Sequence, residues 1–283
     1  MANFFRYLPF FLILNFLTLV FRIPAFGQET LNKYIETLPP EITLSFTIQD
    51  QEGRILAQMN QAKKVPSASI IKIPLLIYLM DRTEKGKLDL NATYKLKKSD
   101  KVGGAGELQF KPDGYPVTYQ FLAAEMIRIS DNTATNILIR KLGLKKFQKW
   151  LHSNGYTTTQ LNRFMMDFDA IALGKQNYTS PEEMNRLLLA LLNEQLLRQS
   201  SSFKVIDLLK NCADDSTLPN LLPEGVEIAH KTGTLDYVRG DAGIIYGKQT
   251  LVLTVLVENF PDLEFAEEII AKIGQIAYLE FAQ

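Results

Sequence analysis

The sequence predicts a two-lobe fold: an antiparallel sheet flanked by helices and assembled from both ends of the chain, with an all-α lobe inserted between its halves. Three observations predict it. Ile42, Leu44, Phe46 and Ile48 alternate with polar residues at period two, the mark of a half-buried strand. Further short β-rich runs, 226–230, 240–246 and 251–258, lie at the opposite end of the chain. Between them, from about Ser69 to Leu209, the signal is mostly helical. A sheet shared by both termini with a helical block between them gives an α/β lobe over residues 28–61 and 215–283 and an all-α lobe over 62–214. At 283 residues the chain is long enough to bury a large core in such a fold.

The first 27 residues read as an export signal. One cation, Arg6, precedes a largely apolar run from Leu8 to Phe21, and Ala25-Phe26-Gly27 places small residues two apart before an expected cleavage near Gly27–Gln28. The apolar run is short of the ~20 residues a spanning helix needs. The alternative is an uncleaved anchor that leaves the protein associated with a membrane. Either way the body is expected outside the cytoplasm, periplasmic or secreted.

The remaining elements follow in order. Residues 29–38 form a short helix that Pro39-Pro40 stop. The strand over 42–48 turns at Asp50-Gln51-Glu52-Gly53 and returns over Arg54–Met59 as a hairpin. Ile70–Leu79 is an apolar helix, and Tyr119–Ile129, Thr133–Leu142 and Pro181–Leu197 carry apolar residues at helical spacing. The three C-terminal strands precede a closing amphipathic helix, Asp262–Phe281.

Composition narrows the function classes. Lys and Arg number 31 against 31 Asp and Glu, so there is no basic footprint for nucleic acid. Seventeen Phe and eleven Tyr among Leu/Ile runs argue for a packed core rather than disorder. The single Cys212 allows no intramolecular disulfide, and one Cys with two His argues against a His/Cys zinc site. A monomer acting on a small molecule is the expectation.

Three short motifs carry chemistry. Ser69-Ile70-Ile71-Lys72 enters the apolar helix, and a hydroxyl and an ammonium three residues apart share one helix face. A buried lysine can shed its proton and act as base, so the pair describes an activated serine. The spacing alone is not decisive, since Ser201-Ser202-Phe203-Lys204 repeats it at an ordinary loop-to-helix junction. Ser130-Asp131-Asn132 joins two helices, where it serves equally as a capping cluster or as a hydroxyl and an amide aimed into a cleft. In Lys231-Thr232-Gly233-Thr234, on a strand, the glycine allows close approach of a ligand to the backbone and the Thr234 N–H can serve an oxyanion.

Taken in this order, the three motifs resemble those of the class A β-lactamases and related penicillin-recognising serine hydrolases. Gly104-Ala105-Gly106-Glu107-Leu108-Gln109, ahead of the second motif, and Ala229-His230 before the third extend the resemblance, which covers residues 30–283. It implies the serine β-lactamase/DD-peptidase-like fold. It further implies that Ser69 attacks the carbonyl, Lys72 shares its proton network, Ser130 relays a proton to the leaving nitrogen and Asn132 bonds the substrate's amide side chain. Lys231 and Thr232 receive the substrate carboxylate, and the N–H groups of Ser69 and Thr234 form the oxyanion hole. Arg239 is a candidate second carboxylate clamp, bidentate where a lysine cannot be; a surface arginine on a sheet edge is the alternative. Asp131 is expected to brace its loop and His230 to be structural. No metal or organic cofactor is implied.

One departure matters. The family carries a glutamate in the loop after the second motif, which activates the deacylating water. Counted back from Thr179-Ser180-Pro181 that position falls near Phe164, and no Glu lies between Lys111 and Ser180 except Glu125. Asp167 or Asp169 is the candidate surrogate. A positioned general base is worth about 10²–10⁴-fold, so its loss from deacylation alone would trap the acyl-enzyme. The expected activity is therefore a β-lactamase-like hydrolase. A DD-peptidase-like or other penicillin-binding amidase or esterase acting on cell-wall peptides, and a non-catalytic binding module, are the alternatives; the intact Ser69, Lys72, Ser130, Asn132 and Lys231 argue against the last.

Overall fold

The computed structural model describes residues 25–283, so the export segment expected over residues 1–27 falls, up to residue 24, outside the described residues. Helix α1 (Ala25–Glu36) leads into strands β1 (Thr43–Asp50) and β2 (Ile55–Met59), the expected hairpin. A two-residue strand, β3 (Val65–Pro66), and a 3-10 turn (Ala68–Ile71) precede α2 (Lys72–Glu84). Then come β4 (Thr93–Lys95), β5 (Pro116–Thr118), α3 (Tyr119–Arg128), α4 (Asn132–Leu142), α5 (Leu144–Ser153) and α6 (Phe168–Ala172). Strand β6 (Tyr178–Thr179) leads to α7 (Pro181–Leu192) and α8 (Gln199–Lys210). Strands β7 (Ile228–Leu235), β8 (Val238–Ile245) and β9 (Leu251–Glu258) and helix α9 (Leu263–Phe281) finish the chain.

The main sheet has the order β2-β1-β9-β8-β7, with every neighbouring pair antiparallel. The first strand pairs with the last along its whole length, Thr43 opposite Glu258 and Asp50 opposite Leu251, so both termini build one sheet as the patterning predicts. Alternation along β9 divides the core. Leu251, Leu253, Val255 and Val257 face α1 and α9, whereas Val252 and Leu256 join the larger cluster that contains α2, α3 and α4. Each sheet face thus has its own apolar cover, which is why β8 is buried at all eight positions.

Helix α2 is the axis of the larger cluster. Ile73, Leu75, Leu76, Ile77 and Leu79 are at most 1% exposed, so the helix is apolar all round and can only lie inside. Pro74 falls in its first turn, where the missing N–H costs little.

The structure departs from the sequence reading at three places. The helix expected over 181–197 ends at Leu192, because Asn193 closes it and Glu194 adopts a left-handed φ of 57°. Two small ladders, β3 with β6 and β4 with β5, interrupt the span expected to be helical, and at two or three residues they are too short to show a period. The β-rich run at 226–230 starts at Ile228 and continues to Leu235, so the third motif is strand throughout.

Candidate active site

Ser69 sits in the 3-10 turn before α2, one residue after Ala68, which holds a left-handed φ of 44°. Ser130 occupies the gap between α3 and α4 and is also left-handed, at 59°. Non-glycine residues in this region cost of order 1–3 kcal/mol and persist where the surroundings over-determine them. At Ser130 the surroundings are visible. Asp131 caps α4 by accepting from the Ala134 N–H at 2.8 Å through Oδ1, and its Oδ2 accepts from the Leu108 N–H at 2.9 Å. The 104–108 loop is thereby tied to the second motif. Gly106 is required there: it has φ of 105°, and a Cβ on it would lie 2.5 Å from the Asp131 Cα.

Lys72 brings the first two motifs together. Its fully buried Nζ lies 3.0 Å from Ser69 Oγ, 2.9 Å from Ser130 Oγ, 2.7 Å from the Ser130 carbonyl and 3.1 Å from Asn132 Oδ1. Burial pulls its proton affinity well below the ordinary lysine value, the Lys231 charge adds to this, and Asp131 opposes it. A neutral Nζ at this place can accept the Ser69 proton and pass one on to Ser130 Oγ.

Strand β7 forms the facing wall. Gly233 lies against the Ser69 turn so closely that a Cβ would stand 3.0 Å from the Ser69 nitrogen and 3.0 Å from the Ala68 Cβ. Its absence lets the strand lie beside the turn, where Ser69 and Thr234 both line one cleft. The cleft measures about 480 Å³ and is lined by Ser69, Ser130, Asn132, Lys231, Thr232, Gly233 and Thr234, together with Gly104, Ala105, Arg128, Ile129, Met166, Ala213 and Asp214. Lys231 is 1% exposed, its Nζ donating to the Thr232 carbonyl at 3.2 Å and lying 4.0 Å from Cys212 Sγ. Burial lowers its proton affinity also, against the raising influence of Cys212, Asp241 and Asp214.

All seven residues of the three motifs named as catalytic or binding therefore meet at one cleft: Ser69, Lys72, Ser130, Asn132, Lys231, Thr232 and Thr234. Two other candidates do not. Asp167 is a helix cap, accepting from the Ala170 N–H at 3.0 Å, and is not on the cleft wall; the loop residue there is Met166, held at φ of 59°. Asp169 is exposed in the first turn of α6. Asp167 and Asp169 are favoured helix-start residues, and that local role takes them. Phe164, where the family glutamate was counted, packs on the core with the Arg140 guanidinium 5.6 Å from its ring centre.

Arg239 is neither an open clamp nor a surface residue. It is 1% exposed beneath β7, its Nη1 donating to Thr234 Oγ1 at 2.6 Å and its Nη2 to Asp214 Oδ2 at 2.9 Å and Ser216 Oγ at 2.7 Å, with Glu267 Oε1 at 2.8 Å. Its register opposite Thr234 dictates this, since both side chains leave the same sheet face. His230 points away from the cleft, its Nδ1 2.8 Å from Asp241 Oδ2, which also accepts from Thr217 Oγ1 at 2.7 Å. Burial disfavours the imidazolium, but Asp241 and Cys212 outweigh that and raise its pKa to about 10.

The loop behind the site closes on uncharged partners. Arg163 donates to Gln176 Oε1 from Nε at 2.9 Å and from Nη2 at 2.6 Å, and Gln176 donates to the Tyr237 hydroxyl at 3.1 Å. Asn136 grips Met165 at both ends, accepting its N–H at 2.8 Å and donating to its carbonyl at 3.1 Å. Sequence reasoning missed Met166 and Asp214 as wall residues. Both sit in loops without periodicity, and a Met-Met or Asp-Asp pair carries no signal of its own.

Comparison with known proteins bears on the family and the fold. The chain matches the beta-lactamase enzyme family over residues 28–281. It is 26% identical over 239 residues to beta-lactamase VEB-1 of Pseudomonas aeruginosa, covering 78% of this chain and 79% of that one. Its fold superposes on PBP-A with a TM-score of 0.83 at 26% identity, covering 91% of this chain and 96% of that one. A point variant of PBP-A has been seen as an acyl-enzyme complex with penicillin G. A beta-lactamase of Sphaerobacter thermophilus superposes with a TM-score of 0.81 at 29% identity, covering 89% and 95%.

Proposed function

Because the chain belongs to the beta-lactamase enzyme family, whose serine enzymes work on an acyl group held by the protein, we propose that it is an exported serine hydrolase that forms an acyl-enzyme on Ser69 with a β-lactam or a related cell-wall peptide amide. The observation that carries this reading is the placing of one buried amine, Lys72 Nζ, 3.0 Å from Ser69 Oγ and 2.9 Å from Ser130 Oγ. Lys72 in its neutral form takes the Ser69 proton as Oγ bonds to the carbonyl carbon. The oxygen gains negative charge between the Ser69 and Thr234 N–H groups. As the C–N bond breaks, Ser130 gives its proton to the leaving nitrogen and recovers one from Lys72. The result is an ester on Ser69 and a free amine.

A second reading concerns turnover, and Met166 favours it. The loop offers a thioether where a carboxylate would activate water, and Asp167 is occupied as a cap. On this reading acylation is fast and deacylation slow, a penicillin-binding rather than a penicillin-destroying enzyme. The fold similarity to PBP-A supports it as much as the similarity to VEB-1 supports the β-lactamase.

Intact-protein mass spectrometry with benzylpenicillin, sampled from seconds to hours, tests both. An adduct absent from Ser69→Ala establishes the nucleophile, and labelling that persists in Ser69→Ala, or none in the parent protein, refutes the proposal. A lasting adduct selects slow deacylation; a fleeting one with accumulating product selects the β-lactamase.

A further inference from the structure

The corner of the cleft beyond Thr232 is built for an anion and already contains one. Two buried cations, Lys231 and Arg239, and the hydroxyls of Thr232 and Ser216 converge there. Asp214, on the cleft wall with its side chain 40% exposed, places its carboxylate among them. Oδ2 accepts from Thr232 Oγ1 at 2.8 Å and from Arg239 Nη2 at 2.9 Å, and Oδ1 accepts from Ser216 Oγ at 2.6 Å. Glu267 Oε1 lies 2.8 Å from the same guanidinium nitrogen. Two cations thus face two carboxylates, and the corner is close to neutral before any substrate arrives.

Burial works against the charge on Asp214. The Ser216 hydroxyl, the Arg239 guanidinium and the Thr232 hydroxyl outweigh it and hold the carboxyl below the usual carboxylate range. The group is therefore ionised at neutral pH. An acyl donor whose own carboxylate is directed to Thr232 meets a donor hydroxyl already engaged and a like charge beside it. A donor with an uncharged ester or amide at that position finds the same hydroxyl engaged but meets no like charge beside it.

We propose that Asp214 is a specificity determinant of the cleft, an internal carboxylate that disfavours acyl donors bearing a carboxylate at this subsite and favours donors that are neutral there. This rests on the acyl-transfer reading for its substrates, but not for its charge argument, and the two can be tested apart.

The kinetic arm compares second-order acylation rate constants for benzylpenicillin and its carboxyl methyl ester, read by intact mass. Asp214→Asn keeps the shape of the side chain and removes the charge. The acid-to-ester ratio is expected to rise at least tenfold in Asp214→Asn and to stay within threefold of the parent value in Asp214→Glu. A ratio that is unchanged or lower in Asp214→Asn overturns the proposal, because Asp214 would then be organising Thr232 and Arg239 for the substrate. If Asp214→Asn does not fold, Asp214→Ser is read in the same way.

The binding arm needs no chemistry. Sodium sulfate at constant ionic strength should raise the melting temperature of Asp214→Asn more than that of the parent protein, and equal responses overturn the proposal. Absence of acylation by either penicillin in every variant, with the sulfate difference present, would refute the acyl-transfer reading and leave the role of Asp214 standing.

Discussion

Replacing Asp131 by alanine tests whether the second motif is held by the bonds seen in the structure. The side chain is 1% exposed and each carboxylate oxygen takes one backbone N–H: Ala134, at the start of α4, and Leu108, in the loop opposite. Loss of the cap costs about 0.5–2 kcal/mol. Leaving the buried Leu108 N–H without a partner adds about 1–3 kcal/mol. The total is about 1.5–5 kcal/mol against a typical global stability of about 5–15 kcal/mol. For a chain of this size it corresponds to a fall in melting temperature of roughly 3–20 °C.

Urea denaturation at pH 7 measures it, with the stability change taken from the midpoint at unchanged slope. Asp131→Asn should fall between parent and alanine variant, since one amide oxygen can serve only one of the two N–H groups. A loss below about 1 kcal/mol in Asp131→Ala would refute the reasoning, because an orphaned buried donor cannot be that cheap. The same substitution removes the opposite charge that supports protonated Lys72. Acylation by the folded fraction should then persist to lower pH than in the parent protein.

Three further outcomes are expected. Lys72→Ala should slow acylation about 10²–10⁴-fold; in the parent the rate should fall as acid protonates Lys72, and Lys231→Gln, by removing a like charge, should move that limb to higher pH, whereas a stationary limb would disconnect the two lysines. Asp167→Asn should leave the acyl-enzyme lifetime by mass spectrometry unchanged within about twofold, since its carboxylate caps α6; a longer lifetime would restore it as the water-activating base. Glu183 accepts from the N–H groups of Thr157, Thr158 and Thr159 at 2.8, 3.0 and 2.6 Å, and although burial raises its carboxyl these bonds lower it overall. A depressed folded pKa contributes stability above the unfolded value, lost as pH falls through the folded one, so the gap in urea midpoint between parent and Glu183→Gln should be wide at pH 7 and close in acid. A gap independent of pH would show the bonds do not depend on the charge.

The parts of the molecule legible in the sequence are those whose physics is local or periodic. Leu44, Phe46 and Ile48 face α1 and α9 while Ser45 and Thr47 are buried on the other face of the sheet, and Ile73 to Met80 is apolar throughout because this part of α2 is enclosed on all sides. The three motifs were legible as a set, since each fixes a hydroxyl or amine to a turn or a strand whose backbone needs are short-range. The decoy Ser201–Lys204 shows the limit of spacing alone: it falls in the first turns of α8, with Ser201 buried and Lys204 away from the cleft wall. Where reading failed, contacts between distant loops decide. Arg239 looked free to clamp a substrate because Asp214, Ser216 and Glu267 are far away in sequence. Asp167 looked available as a base because its nearest need, an N–H three residues on, belongs to a helix of only five residues.

Three carboxylates near the cleft share one condition: each already serves as an acceptor. Asp131 holds two backbone N–H groups, Asp167 holds one, and Asp214 holds two hydroxyls and a guanidinium. An acceptor fixed in this way is a poor general base, since taking a proton would forfeit the bonds that place it. Lys72 is the opposite case, an amine whose charge is disfavoured by burial and which already stands at Ser69 Oγ. If the water that cleaves the ester also gives its proton to Lys72, one amine serves both halves of the cycle. Formation and breakdown of the adduct should then share one pH limb, set by Lys72. Two separate limbs would require a second base, and the loop around Met166 is where its side chain would have to enter.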